Sequence, residues 1–198
     1  VHYITSDNSD PILKNKHKNI LPYYIGYDKE RTIFFQTLQF KVFVTTMPDL
    51  GKFIFTRSPY NVHYAYVFSS LISVHMGYMH DAFDNYDSVL CLGPHQLNEI
   101  KALEQHYGLK QKEIIECGYG HLDKILETIN QDSNNLKIKK GRMHVVIAPT
   151  YGQNSLLEIK NGEMCLELCD ILAKASIDVT LRPHWMTINN NPSLVSKI

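Results

Sequence analysis

The chain has 198 residues, 44% of them hydrophobic and 11% aromatic, and its 20 basic and 20 acidic side chains cancel. That length can hold one large or two small cores, and a neutral balance with no nucleic-acid-binding motif excludes the electrostatic footprint of a nucleic-acid binder. No apolar run is long enough to span a membrane as a helix, and four cysteines without a Cys-x-x-Cys pair read as buried free thiols of a reducing compartment.

Residues 1–19 are polar and carry a basic cluster, Lys14, Lys16, His17 and Lys18. They read as a solvated, partly ordered arm, with contact to anionic lipid headgroups as the alternative. Asp28 to Leu38 suits a short helix, Phe40 to Thr46 a strand, and Met47 to Lys52 a turn. Val62 to Phe68 is a mostly buried strand. The loop from Ser69 to Met79 then gathers Ser69, Ser70, Ser73, His75 and Gly77 past that strand's carboxyl end, the edge where open α/β sheets bind ligands. Asp87 to Leu92 is the next strand. Gly93-Pro94 breaks it, and a helix runs to Gly108 with Leu97, Ile100, Leu103 and Glu104 at helical spacing. Cys91 and Cys117 fall in predicted strands, Cys165 and Cys169 on a predicted helix.

Ile114 to Cys117 is a short strand leading into Gly118-Tyr119-Gly120-His121-Leu122-Asp123 and a helix to about Ile129. This has the layout of a phosphate-cradling turn; it suits equally well glycines that only let the chain turn. Residues 131–142 are polar, lack apolar periodicity and read as a linker. Beyond it, Met143 to Ala148 is a strand and Pro149 to Ser155 a polar loop. Gly162 to Ala175 is a helix with Met164, Leu168, Ile171 and Leu172 inward, and Ile177 to Leu181 is a strand ending in Arg182-Pro183-His184. Strands alternating with helices on both sides of a linker predict an α/β protein of two Rossmann-like domains, 1–130 and 143–198. The second is expected to hold only two strands and one helix, cut short in a fragment of a longer protein.

Several blocks carry a resemblance. They are His75-Met76-Gly77, Tyr86-Asp87-Ser88 leading to Gly93-Pro94, the stretch Gly118 to Asp123, Val145 to Thr150, and Arg182-Pro183-His184. In this order and spacing, over roughly residues 40 to 190, the chain resembles the CDP-glycerol glycerophosphotransferase family, the enzymes of teichoic-acid and related capsule polymers. The resemblance implies the two-domain GT-B fold, with an acceptor-side domain at 1–130 and the start of a donor-binding domain at 143–198. It departs from the family at Val74-His75-Met76-Gly77-Tyr78, where Trp-His-Gly-Thr-Pro is common. His121 stands in place of an Arg, and Tyr151-Gly152 follow Thr150 where many members carry an aromatic, Arg and Asp.

The implied reaction moves glycerol phosphate, or a related polyol phosphate, from a CDP-activated donor to a hydroxyl of a surface polymer or its lipid-linked primer. It needs a base for that hydroxyl, and an Arg with a protonated or hydrogen-bond-donating histidine for the departing diphosphate. His75 is the candidate base, because imidazole titrates near neutrality. Arg182 and His184 are the candidates for the diphosphate, Arg for its planar fork of donors. Gly77, Gly118, Tyr119, Asp123, Thr150 and Gly152 are implied substrate-binding positions, although Thr150 and Gly152 serve equally well merely to turn the chain. His63, His95, His106 and His144 read as structural or surface residues. No metal or cofactor site is expected, and the expected location is cytoplasmic, peripheral to the inner face of the membrane. Two other readings share the fold: a nucleotide-sugar glycosyltransferase and a non-catalytic glycan-binding module.

Overall fold

The computed structural model describes residues 1–15, 18–53, 55–132 and 141–197. The chain divides into two compact units, Val1–Asn130 and Gln131–Ile198. Most of the expected linker, residues 133–140, lies outside the described residues, as do Lys16 and His17 of the basic cluster.

Among the described residues every strand pair is parallel, as an α/β protein built on crossover connections requires. The first unit opens with β1 (His2–Thr5) beside β2 (Leu21–Tyr24), His2 opposite Leu21. This corrects the expectation of a loosely ordered arm: His-Tyr-Ile-Thr is a good strand former once Leu-Pro-Tyr-Tyr offers it a partner. After α1 (Lys29–Gln36) comes the main sheet: β3 (Val42–Thr45), β4 (His63–Val67), β5 (Ser88–Cys91) and β6 (Glu113–Glu116), side by side in chain order.

Alternation along these strands places Phe43 opposite Tyr64, and Tyr66 opposite Val89, on one face. That face closes over Phe35, Phe55, Phe68, Phe83 and Tyr86 to form the core. The rings meet edge-on or tilted, Phe43–Tyr64 at 5.8 Å and Tyr66–Phe83 at 4.6 Å, geometries that suit aromatic quadrupoles. Arg57 locks the strand starts together. It forks onto Asp87 at 2.9 and 3.2 Å, and Asp87 accepts the Tyr64 N–H at 2.8 Å. Burial pushes the Asp87 carboxyl up, but the bonds from Arg57 and Tyr64 prevail and hold it below its ordinary value.

α3 (Pro94–Tyr107) follows β5 directly, with Pro94 in its first turn and Gly108 ending it in the left-handed region at φ 63°. α4 (Gly120–Asp132) runs three residues beyond its expected end. In the second unit, β7 (His144–Ile147), α5 (Glu163–Lys174) and β8 (Asp178–Leu181) form one parallel crossover over Ile147, Leu157, Cys165 and Leu194. Of the four α5 residues expected inward, Leu168 and Leu172 pack on this core. Met164 and Ile171 stand 42% and 57% exposed, because the buried stripe runs through 165, 168, 169 and 172 instead. The unit also exceeds two strands and one helix: α6 (Trp185–Asn190) and α7 (Pro192–Lys197) follow, and Leu194 joins the core.

All four cysteines are free. Cys91 and Cys165 are buried, and burial pushes the Cys91 thiol up to about 11. Cys117 is not buried as expected; it falls one residue past β6 and is exposed. Among the described residues no helix is long and apolar enough to cross a membrane.

Candidate functional site

The loop after β4 is held from the side by α3. Gln96 is fully buried: its Oε1 accepts the Leu92 N–H at 2.9 Å, and its Nε2 donates to the Ser70 carbonyl at 2.9 Å and the Ile72 carbonyl at 3.1 Å. His95 donates from Nε2 to the Leu71 carbonyl at 3.1 Å. Glu99 Oε2 accepts the Ser73 hydroxyl at 3.0 Å, the His75 N–H at 3.2 Å and the Val74 N–H. Residues 95, 96 and 99 share one side of a helix, so the first turns of α3 hold the loop from Ser70 to His75. The stretch expected to be a loop throughout contains a single helical turn, α2 (Val74–Gly77). The Glu99 carboxylate supplies the acceptor that the N–H groups at such a helix start need.

His75 sits on that turn with its side chain 66% exposed. Its Nδ1 lies 2.9 Å from Ser73 Oγ and 3.8 Å from Glu99 Oε2. Burial pushes the Glu99 carboxyl up, but hydrogen bonds from His75, Ser73 and Val74 outweigh it and hold the group below its ordinary value. Gly77 ends the turn close to Ile72; an added Cβ would stand 2.5 Å from Ile72 Cδ1. Tyr119 reaches the same loop, donating to the Ser69 carbonyl at 3.4 Å. Gly118 before it has φ 72°, a conformation glycine adopts without strain. Asp123 is exposed in the first turn of α4, where its charge suits the helix start. No hydrogen bond among the described residues ties it to the His75 loop.

In the second unit the carboxyl ends of β7 and β8 lie side by side, with Ile147 opposite Leu181 and the Arg182 N–H on the Ile147 carbonyl at 2.8 Å. Thr150 is exposed, and Gly152 turns the chain at φ 107°. The Tyr151 ring stacks on His184 with centroids 4.7 Å apart and planes 29° from parallel. His184 caps α6, its Nδ1 accepting the Met186 N–H at 3.1 Å. A ring nitrogen that accepts is unprotonated, so the neutral ring carries its proton on Nε2. The Arg182 side chain is exposed, with no ion pair or hydrogen bond among the described residues. Thr187 of α6 is fully buried and donates to Glu158 Oε1 at 2.9 Å, tying α6 to the loop after β7.

The fold therefore brings His75, Gly77 and Tyr119 to one loop of the first unit, and Gly152, Arg182 and His184 to one strand edge of the second. Sequence reasoning missed Gln96 and Glu99 as supports, and Tyr151 as the ring beside His184. The signal for the first two was partial: polar residues on one side of a helix start directly after Gly93-Pro94, a pattern that a solvent-facing side would show as well. Nothing comparable marked Tyr151, whose partner lies 33 positions further along the chain.

Parallel strands that end in polar, histidine-bearing loops define an α/β protein. More specifically, residues 75–196 match the family of CDP-Glycerol:Poly(glycerophosphate) glycerophosphotransferase, well over half of the chain, and the chain belongs to that family. The match begins on His75 and takes in Gly118, Thr150, Arg182 and His184. No curated protein and no solved structure matches the chain significantly.

Proposed function

We propose that the protein transfers glycerol phosphate, or a related polyol phosphate, from a CDP-activated donor to a hydroxyl of a surface polymer or its lipid-linked primer. Residues 1–130 serve the acceptor and residues from 143 onward the donor, as two Rossmann-like domains of the GT-B type, working at the inner face of the membrane. The observation that most supports this is the family match starting at His75. His75 offers an exposed imidazole on a loop that three α3 side chains hold in place, as a general base must be held.

His75 takes the proton of the acceptor hydroxyl, whose oxygen attacks the donor phosphorus that carries glycerol. The bond from that phosphorus to the bridging oxygen of the diphosphate breaks, and its electrons leave with CMP. The leaving group is thus a monophosphate rather than an intact diphosphate, and charge develops on the former bridging oxygen. Arg182 and the Nε2–H of His184 are donors of the kind that stabilises this charge. Gly118, Tyr119 and Asp123 line the acceptor side, and Thr150 and Gly152 let the backbone approach the nucleotide.

The test is a donor screen on the full protein with CDP-glycerol, CDP-ribitol and UDP-sugars. Release of CMP, coupled to growth of a phosphodiester-linked acceptor, is the expected outcome. Turnover with UDP-sugars alone would replace the reading with a glycosyl transfer.

A further inference from the structure

The family match names a reaction but says nothing about how the His75 ring is oriented. The ring is mostly exposed, and a histidine free in water favours the proton on Nε2, which would block that nitrogen as a base. The contacts around the ring decide the matter. Ser73 Oγ lies 3.0 Å from Glu99 Oε2 and 2.9 Å from His75 Nδ1. A serine hydroxyl has one proton to give. An ionised carboxylate can only accept, so the proton of Ser73 goes to Glu99. The contact to His75 is then satisfied only if Nδ1 carries a hydrogen and donates it to Ser73 Oγ.

We propose that Glu99 and Ser73 are positioning residues which hold His75 with its proton on Nδ1, leaving the Nε2 lone pair free to accept the acceptor hydroxyl's proton. This rests on the reading of His75 as the base and adds the residues that make it one. Two further features favour it. Glu99 also accepts the backbone N–H groups of Val74 and His75, so one carboxylate fixes both the backbone of the turn and the hydroxyl that sets its ring. The three hydrogen bonds also keep that carboxylate ionised, since they hold it below its ordinary value. Neither Ser73 nor Glu99 needs to touch substrate: they act through the second ring nitrogen, as partners of functional histidines commonly do.

The experiment reads the ring directly. The protein labelled with nitrogen-15 at histidine is studied by NMR at a pH where the imidazole is neutral, with His75→Ala identifying the resonance. The expected result is a protonated Nδ1 and a lone-pair shift at Nε2. Ser73→Ala should move the ring toward Nε2–H and lower kcat about tenfold with donor and acceptor KM unchanged, while Ser73→Thr, which keeps the hydroxyl, restores both. Glu99→Gln should have a similar but smaller effect on the tautomer. A wild-type His75 protonated on Nε2, or a Ser73→Ala ring that keeps Nδ1–H, overturns the positioning role even if His75→Ala is inactive. A fully active His75→Ala in a protein that shows the expected tautomer overturns the base reading and leaves the positioning geometry standing.

Discussion

Two histidines stand just past parallel strands, one in each unit, and their surroundings are built by opposite means. His75 is set from outside: a neighbouring helix reaches across with Glu99, and Ser73 relays the contact to Nδ1. His184 is set from within its own helix, where Nδ1 accepts the Met186 N–H two residues on. The first environment presents a hydroxyl oxygen to Nδ1, the second a backbone donor. In the proposed reaction the same side chain then serves as a proton acceptor in one place and a hydrogen-bond donor in the other. What touches the second nitrogen assigns the role, and residue type alone does not.

The comparison breaks most visibly if the two histidines prove interchangeable. His75→Ala should lower kcat at saturating acceptor by about a hundredfold to ten-thousandfold, the span of general acid–base catalysis, while circular dichroism shows the fold intact. A variant that turns over normally would remove the base from the scheme. On the other side, Arg182→Ala should cost about 2 kcal/mol, roughly thirtyfold, in kcat/KM for the donor, as loss of a charged hydrogen bond implies. Acceptor kcat/KM measured at saturating donor should move much less; a defect confined to the acceptor would place Arg182 on the wrong substrate.

How far the sequence carried this picture follows from the range of its signals. Alternating and helical periodicities located β4, β5, α3 and the crossover of the second unit to within a residue or two, because apolar spacing is a local property. The carboxyl-end loops holding His75 and His184 were legible for the same reason. Tertiary supports were not. Gln96 and Glu99 lie 24 to 26 positions from the loop atoms they bind, and a polar residue at a helix start looks the same whether it faces solvent or a loop. Ile171 fails in the other direction: apolar spacing on an amphipathic helix points it inward, whereas the buried stripe lies to one side of it.

The two loops also differ in how firmly they are tied, which stability measurements can sharpen. Gln96→Leu removes three bonds at once and leaves the Leu92 N–H and the Ser70 and Ile72 carbonyls short of a partner. A loss of about 1–3 kcal/mol in urea unfolding is expected. Thr187→Val removes the single bond from α6 to Glu158 and should cost about 1 kcal/mol. If the second loss equals or exceeds the first, the loop after β4 is not the more firmly anchored of the two.

The smallest effect is a pH dependence peculiar to the His75 side. Glu99 is held below its ordinary value of 4.5 in the folded chain, so the folded state binds this proton less readily than the unfolded state. Its contribution to stability is fully present above 4.5 and is lost as pH falls through the lower folded value. Its hydrogen-bond donors, the Ser73 hydroxyl and two backbone N–H groups, do not titrate in that window, and the electrostatic pull of the neighbouring His75 acts on the carboxyl in the same direction. Asp87 is depressed as well, through Arg57, but it is common to both proteins when wild type is compared with Glu99→Gln. Urea midpoints measured from about pH 7 to about pH 3 should therefore show the wild type ahead at the neutral end and the gap closing on the acid side. A gap that stays constant across the range would mean that Glu99 is not the charged anchor of the loop, and the contrast between the two histidines would have to be drawn without it.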